Sequence, residues 1–167
     1  DRVFWLGDGL LHDHTDGHVD NLARFVAPGV LALTVATGQD DPNAGVYEDA
    51  RARAETFGVA VREVPSPGRI ETDGQVEPAS YMNFAVTTHL VVVPTFGAPG
   101  DDEAVAALAA LFPDRDTIGL AACAVLASSA NSSWPALTWP PSLNPIFSIR
   151  PATSGRTTTD SSARRLP

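Results

Sequence analysis

The sequence predicts an α/β fold in which one structural unit occurs twice. Three observations carry this. A hairpin, a helix and a strand follow one another in order, and the same order returns later in the chain. The spacing of apolar residues switches from alternation to helical period at matching places in each copy. At 167 residues and 44% hydrophobic composition, the chain can bury one sizeable core. An internal repeat of this kind favours one radial or layered body over two unrelated domains.

Phe4-Trp5-Leu6 reads as a short buried strand closed by Gly7-Asp8-Gly9. A domain that opens inside a strand is expected to have lost sequence upstream. The arms Leu22 to Ala27 and Val30 to Ala36 flank Pro28-Gly29 and read as a hairpin. Asp41 is placed as N-cap and Pro42 as first residue of a helix, with Val46, Ala50, Ala54 and Phe57 on its buried face and Gly58 as its stop. Val59 to Val64 is then a strand, ended by Pro65-Ser66-Pro67-Gly68.

The second copy begins with strands at Tyr81 to Thr87 and His89 to Val93. Pro99-Gly100-Asp101-Asp102-Glu103 opens a helix with acids at its positive end. Val105, Leu108, Leu111 and Phe112 form its buried stripe, Pro113 stops it, and Thr117 to Leu120 is the closing strand. From Ser128 the regular periods end. The stretch is rich in Ser and Pro, and Pro151 to Pro167 holds seven Ser or Thr residues, as expected for a disordered tail.

Charge and cysteine content narrow the function classes. Lys and Arg total 11 against 20 Asp and Glu, a formal charge of -9. Such a balance argues against a nucleic-acid surface, which needs basic groups to displace condensed cations, and it is compatible with a small cationic substrate. The one cysteine, Cys123, cannot form an internal disulfide. No apolar stretch approaches about 18 residues, and no basic-then-apolar leader opens the chain, so a cytoplasmic protein without a membrane partner is expected.

The chemistry concentrates in His12-Asp13-His14-Thr15-Asp16-Gly17-His18-Val19-Asp20-Asn21, where six of ten side chains are His or Asp. As a helix, His14 and His18 would share a face, but Gly17 and the nearby Thr and Asp residues disfavour helix. As a strand, His12, His14 and His18 face one way, yet the outer two would lie roughly 20 Å apart, too far to share an ion. Only a folded loop could gather them, and neither HExxH nor paired Cys-x-x-Cys is present. A solvated loop whose acids and imidazoles cap turns is the plainer alternative. A third reading uses His18 and Asp20, which point the same way in an extended segment. A carboxylate can hold a planar guanidinium by paired hydrogen bonds, and an adjacent imidazole can move a proton near neutrality. Guanidine hydrolysis needs both, together with a nucleophile, normally a thiolate.

Gly17-His18-Val19-Asp20-Asn21, Phe25-Val26-Ala27-Pro28-Gly29, Asp41-Pro42-Asn43 and Pro65-Ser66-Pro67-Gly68 resemble the agmatine deiminase family, which includes the bacterial-type peptidyl-arginine deiminases. Tyr81-Met82-Asn83-Phe84, Val92-Val93-Pro94-Thr95-Phe96-Gly97 and Phe112-Pro113-Asp114-Arg115 continue the resemblance in order, so that it covers residues 3 to about 126. It implies a pentein-type α/β-propeller built from ββαβ units, of which residues 1–127 would be part, with 128–167 as a divergent tail. It also implies His18 as general acid/base and Asp20 as the carboxylate gripping the substrate, with Asp16 as a further substrate-binding carboxylate. The implied reaction converts agmatine to N-carbamoylputrescine and ammonia, on the polyamine route, without metal or organic cofactor. Peptidyl-arginine is the alternative substrate.

The chain departs from the family where the nucleophile is expected. The family's block of three glycines, two residues and His-Cys falls on Ser128 to Trp134, with Ser133 in place of the histidine and Trp134 in place of the cysteine. Cys123 lies eleven positions earlier inside an apolar segment and reads as a buried structural thiol. An upstream substrate-binding carboxylate is also expected to be missing. The resemblance is therefore to a fragment, inactive by itself, a noncatalytic remnant or a module that still receives cationic amines. Incomplete closure would leave strand edges and apolar faces that a homo-oligomer could cover.

Overall fold

The computed structural model describes residues 3–13, 17–122 and 147–148. Strand β1 (Phe4–Trp5) is followed by a 3₁₀ turn at Val19–Asn21, then β2 (Ala23–Ala27), β3 (Val30–Val35), α1 (Ala44–Phe57) and β4 (Ala60–Pro65). A small hairpin, β5 (Glu71–Thr72) and β6 (Gln75–Val76), precedes the second unit of β7 (Ala85–Val86), β8 (Leu90–Thr95), α2 (Asp101–Leu111) and β9 (Asp116–Ala121). Strand β10 (Phe147–Ser148) pairs in parallel with β1. It falls within 128–167, a stretch expected to carry no regular structure.

The repeat is present in the topology. In the first sheet β2 pairs antiparallel with β3, and β3 pairs in parallel with β4, which returns through α1. In the second sheet β7, β8 and β9 repeat those relations, with α2 as the crossover. A parallel return needs a connection of this length, and a helix supplies it while covering the sheet.

The two units interlock. Leu31 and Leu33 of β3 point to α1, joining Ala50, Ala54 and Tyr47 in one core. Strand alternation sends Ala32 to the opposite face, where it meets α2 through a second core of Val64, Val91, Val93, Ala104 and Leu108. The layers therefore run α1, first sheet, α2, second sheet. The β9 strand lies so close to α2 that a Cβ on Gly119 would sit 3.4 Å from Val105 Cγ2, and 2.9 Å from Thr95 Cγ2 of the neighbouring β8. The other face of the second sheet carries Ile118 and Leu120, 46% and 57% exposed.

Three local expectations are corrected. Helix α1 starts at Ala44 with Asn43 at its N-cap, because Asp41 turns inward instead of capping. Its buried carboxylate accepts the N–H groups of Thr37 and Asn43 and the Ser66 hydroxyl, tying the β3–α1 loop to the end of β4. Tyr47 joins Ala50 and Ala54 on the buried face, while Val46 and Phe57 are only partly buried. The strand expected from Tyr81 forms only at Ala85, because Ser80 Oγ accepts the Met82 N–H and Arg24 binds the carbonyls of Met82 and Phe84. Those contacts hold residues 80–84 as a turn. Helix α2 starts where expected, with Asp101, Asp102 and Glu103 in its first turn.

Candidate active site

The site forms where the loop after β1 meets β2. Val19–Asn21 is a single 3₁₀ turn, so the extended alignment expected for His18 and Asp20 does not apply. His18 itself keeps extended dihedrals at φ -73° and ψ 118° and stands at the start of the turn. Both His18 and Asp20 are exposed, and the partly buried Val19 between them packs into the first core. The turn thus has an apolar anchor on one side and two ionisable groups in solvent on the other.

Several contacts fix the turn. Asp13 Oδ2 accepts the His18 N–H at 2.8 Å and Asn21 Nδ2 at 3.3 Å. Asn21 is buried; its side-chain oxygen accepts Asn83 Nδ2 at 2.5 Å and its backbone carbonyl accepts Ser80 Oγ at 2.6 Å. A Cβ on Gly9 would lie 2.5 Å from Gly17 Cα, so the strand-exit loop and the site loop touch backbone to backbone. Leu11 N–H donates to Asn43 Oδ1 at 2.7 Å, which fastens the same loop to the start of α1.

Arg24 adds a positive charge beside Asp20. Its guanidinium lies 4.1 Å from the centre of the Phe84 ring and donates to the Met82 and Phe84 carbonyls. Burial lowers the Arg24 pKa, and the nearby Asp20 charge partly offsets that effect. The protein therefore places a guanidinium of its own near the carboxylate.

Other expected residues fall apart from this centre. His12 Nδ1 lies 3.2 Å from the Val76 carbonyl, against the small hairpin. His14, Asp16, Cys123, Ser133 and Trp134 lie outside the described residues. Among the described residues no group of three or more His, Cys, Asp or Glu side chains could hold a metal ion. Asn21, Ser80, Asn83 and Arg24 had no role assigned from sequence. Arg24, Ser80 and Asn83 showed only as polar side chains between apolar neighbours, and Asn21 as the last residue of the polar run. Beside Asn83 a cavity of about 550 Å³ opens on the face of the second sheet remote from α2, lined in part by Ser80, Pro94, Phe96 and Leu120.

Comparison with known proteins fixes the lineage. Residues 1–131 match the family model described as Porphyromonas-type peptidyl-arginine deiminase. The chain belongs to this family. Agmatine deiminase of Pseudomonas putida is 35% identical over 142 residues, covering 71% of this chain and 39% of that protein. Agmatine deiminase of Pseudomonas aeruginosa is 33% identical over 156 residues, covering 78% and 42%. Among solved structures, an agmatine deiminase of Enterococcus faecalis aligns with a TM-score of 0.68 at 30% identity, covering 75% of this chain and 40% of that one. The deiminase-family chain thus spans about two fifths of the length of the curated relatives it matches. The described residues supply two ββαβ units of a pentein-type α/β-propeller. Among the described residues no helix is long and apolar enough to cross a membrane.

Proposed function

We propose that this site serves agmatine-type deimination, with Asp20 holding the substrate guanidinium and His18 moving the protons. The observation that carries the reading is the anchored 3₁₀ turn, which presents His18 and Asp20 to solvent from a base of partly buried Val19 and buried Asn21. The likeness to agmatine deiminases supports it. Asp20 would accept paired guanidinium N–H groups. A thiolate would attack the guanidinium carbon, and ammonia would leave with a proton supplied by His18. Water would then add to the S-linked carbon, His18 taking its proton, and C–S cleavage would release the ureido product and the thiolate.

The chain contains one cysteine, Cys123, and by the family resemblance Trp134 stands where the nucleophile is expected. The reading therefore assigns this chain guanidinium binding without turnover. A cytoplasmic setting suits it, since a reducing compartment keeps a lone thiol such as that of Cys123 from oxidative pairing. The family description favours a second substrate, peptidyl-arginine, for the same two residues.

Calorimetry of the purified chain with agmatine, and with a blocked arginine peptide, tests the reading beside an assay for ammonia and ureido product. Agmatine binding that is lost in Asp20→Ala, with no product above buffer, is the expected result. Absence of binding by the parent chain would refute guanidinium recognition. Turnover by the parent chain would refute the assignment of binding alone, and tighter binding of the peptide would move the substrate to peptidyl-arginine.

A further inference from the structure

We infer that Asp13, acting through Asn21, is a positioning residue that fixes His18 and Asp20, and that Asn83 extends this control to the second unit. The inference rests on the roles proposed above for His18 and Asp20. Asp13 acts on the site turn through its carboxylate. Its Oδ2 gathers two N–H donors from opposite ends of the site turn, the His18 backbone at 2.8 Å and the Asn21 amide at 3.3 Å. A charged acceptor shared in this way holds the turn more firmly than neutral pairs would.

Asn21 can serve as the link because its side chain is used in both senses. Its Nδ2 donates to Asp13 while its Oδ1 accepts from Asn83. Only one orientation of the amide satisfies both neighbours while Asn83 donates. Asn21 is 5% exposed, so water cannot readily replace either partner. The chain of contacts Asp13–Asn21–Asn83 therefore joins the site loop, the 3₁₀ turn and the wall of the cavity beside β7. Residues 18 and 20 lie on the part of the backbone spanned by these contacts, which makes their placement the property most exposed to a break in the chain.

The donor and acceptor roles between residues 13 and 21 can be exchanged, at the cost of the His18 contact that shares the same oxygen. In the paired variant Asp13→Asn with Asn21→Asp, the residue 13 amide would donate to the residue 21 carboxylate, which would still accept from Asn83. Because Oδ2 alone serves both donors in the parent, the His18 N–H loses its acceptor in the pair. Net charge is unchanged. Asn21→Asp alone sets two carboxylates against each other, and Asp13→Ala removes the shared acceptor.

The test uses the full chain and two readouts. Backbone order parameters from nuclear magnetic relaxation at His18 and Asp20 are expected near 0.85 in the parent and below about 0.6 in Asp13→Ala and Asn21→Asp. Amides of α2 should remain rigid in all variants, separating local release from loss of fold. The paired variant should restore the parent value at Asp20 and leave His18 released. Agmatine affinity should fall about tenfold in each single variant and recover in part in the pair, through Asp20. Order parameters unchanged in Asp13→Ala, or a paired variant no more ordered than Asn21→Asp, would overturn the inference. If the parent binds no agmatine, the guanidine reading fails while the order parameters still decide the positioning role.

Discussion

The Tyr81 hydroxyl donates to the Asp101 carboxylate at 2.6 Å, joining the turn before β7 to the first turn of α2. The same carboxylate accepts the N–H groups of Phe96 and Gly97, so one acid gathers three segments of the second unit.

Stability should fall at alkaline pH. Burial, followed by the hydrogen bond to Asp101 and its charge, raises the Tyr81 pKa above the usual phenol value. Burial and the Asp41 charge raise that of Tyr47, against weaker opposing hydrogen bonds from Asn43 and Ser66. Above about pH 10 the unfolded chain releases these protons while the folded chain retains them. The folded state then binds more protons, so stability is level below that pH and declines above it. Melting temperatures from about pH 8 to about pH 11 should show the decline, and Tyr81→Phe should reduce it. A flat profile would contradict the assignment.

Ser80→Ala should cost about 1–3 kcal/mol. It removes the hydroxyl that donates to the Asn21 carbonyl and accepts the Met82 N–H, leaving two backbone groups without that partner. Urea unfolding of parent and variant measures the loss, and equal midpoints would show that the bridge contributes nothing.

Thr34→Val should stabilise the protein by up to about 1 kcal/mol. Thr34 is fully buried in β3, and among the described residues its hydroxyl has no hydrogen-bond partner. Valine keeps the shape without the desolvated oxygen. A lower unfolding midpoint in the variant would refute this.

Replacing both Ile118 and Leu120 with lysine should shift the chain toward monomer. These side chains stand exposed together on β9, and apolar patches of this kind drive association. Sedimentation equilibrium of the parent should show self-association that the double variant lacks. A monomeric parent would remove the expectation.

What was legible in the sequence was set by local pattern. The Pro28-Gly29 hairpin, both helices and the returning strands follow from apolar period and turn residues, which act within a few positions. The missed boundaries have distant causes. Asp41 fails as a helix cap because Ser66, 25 positions away, draws its carboxylate inward. The site divides likewise. His18 and Asp20 stand out by residue type, whereas the bond that orients Asn21 comes from Asn83, 62 positions along the chain. The β5–β6 hairpin had a local signal, since Asp73 and Gly74 take φ of 53° and 78°, as mirror-image turns require. Its strands are two residues each, too short for alternation to register.

The layering of α2 between the two sheets has a consequence for inheritance as well as folding. Ala32 belongs to a strand of the first unit, yet it lies in the core that α2 completes. A bulkier residue there would displace a helix encoded some seventy codons later. The second copy of the repeat cannot drift, be excised or be exchanged as a free-standing cassette, because part of its interior is written in the first.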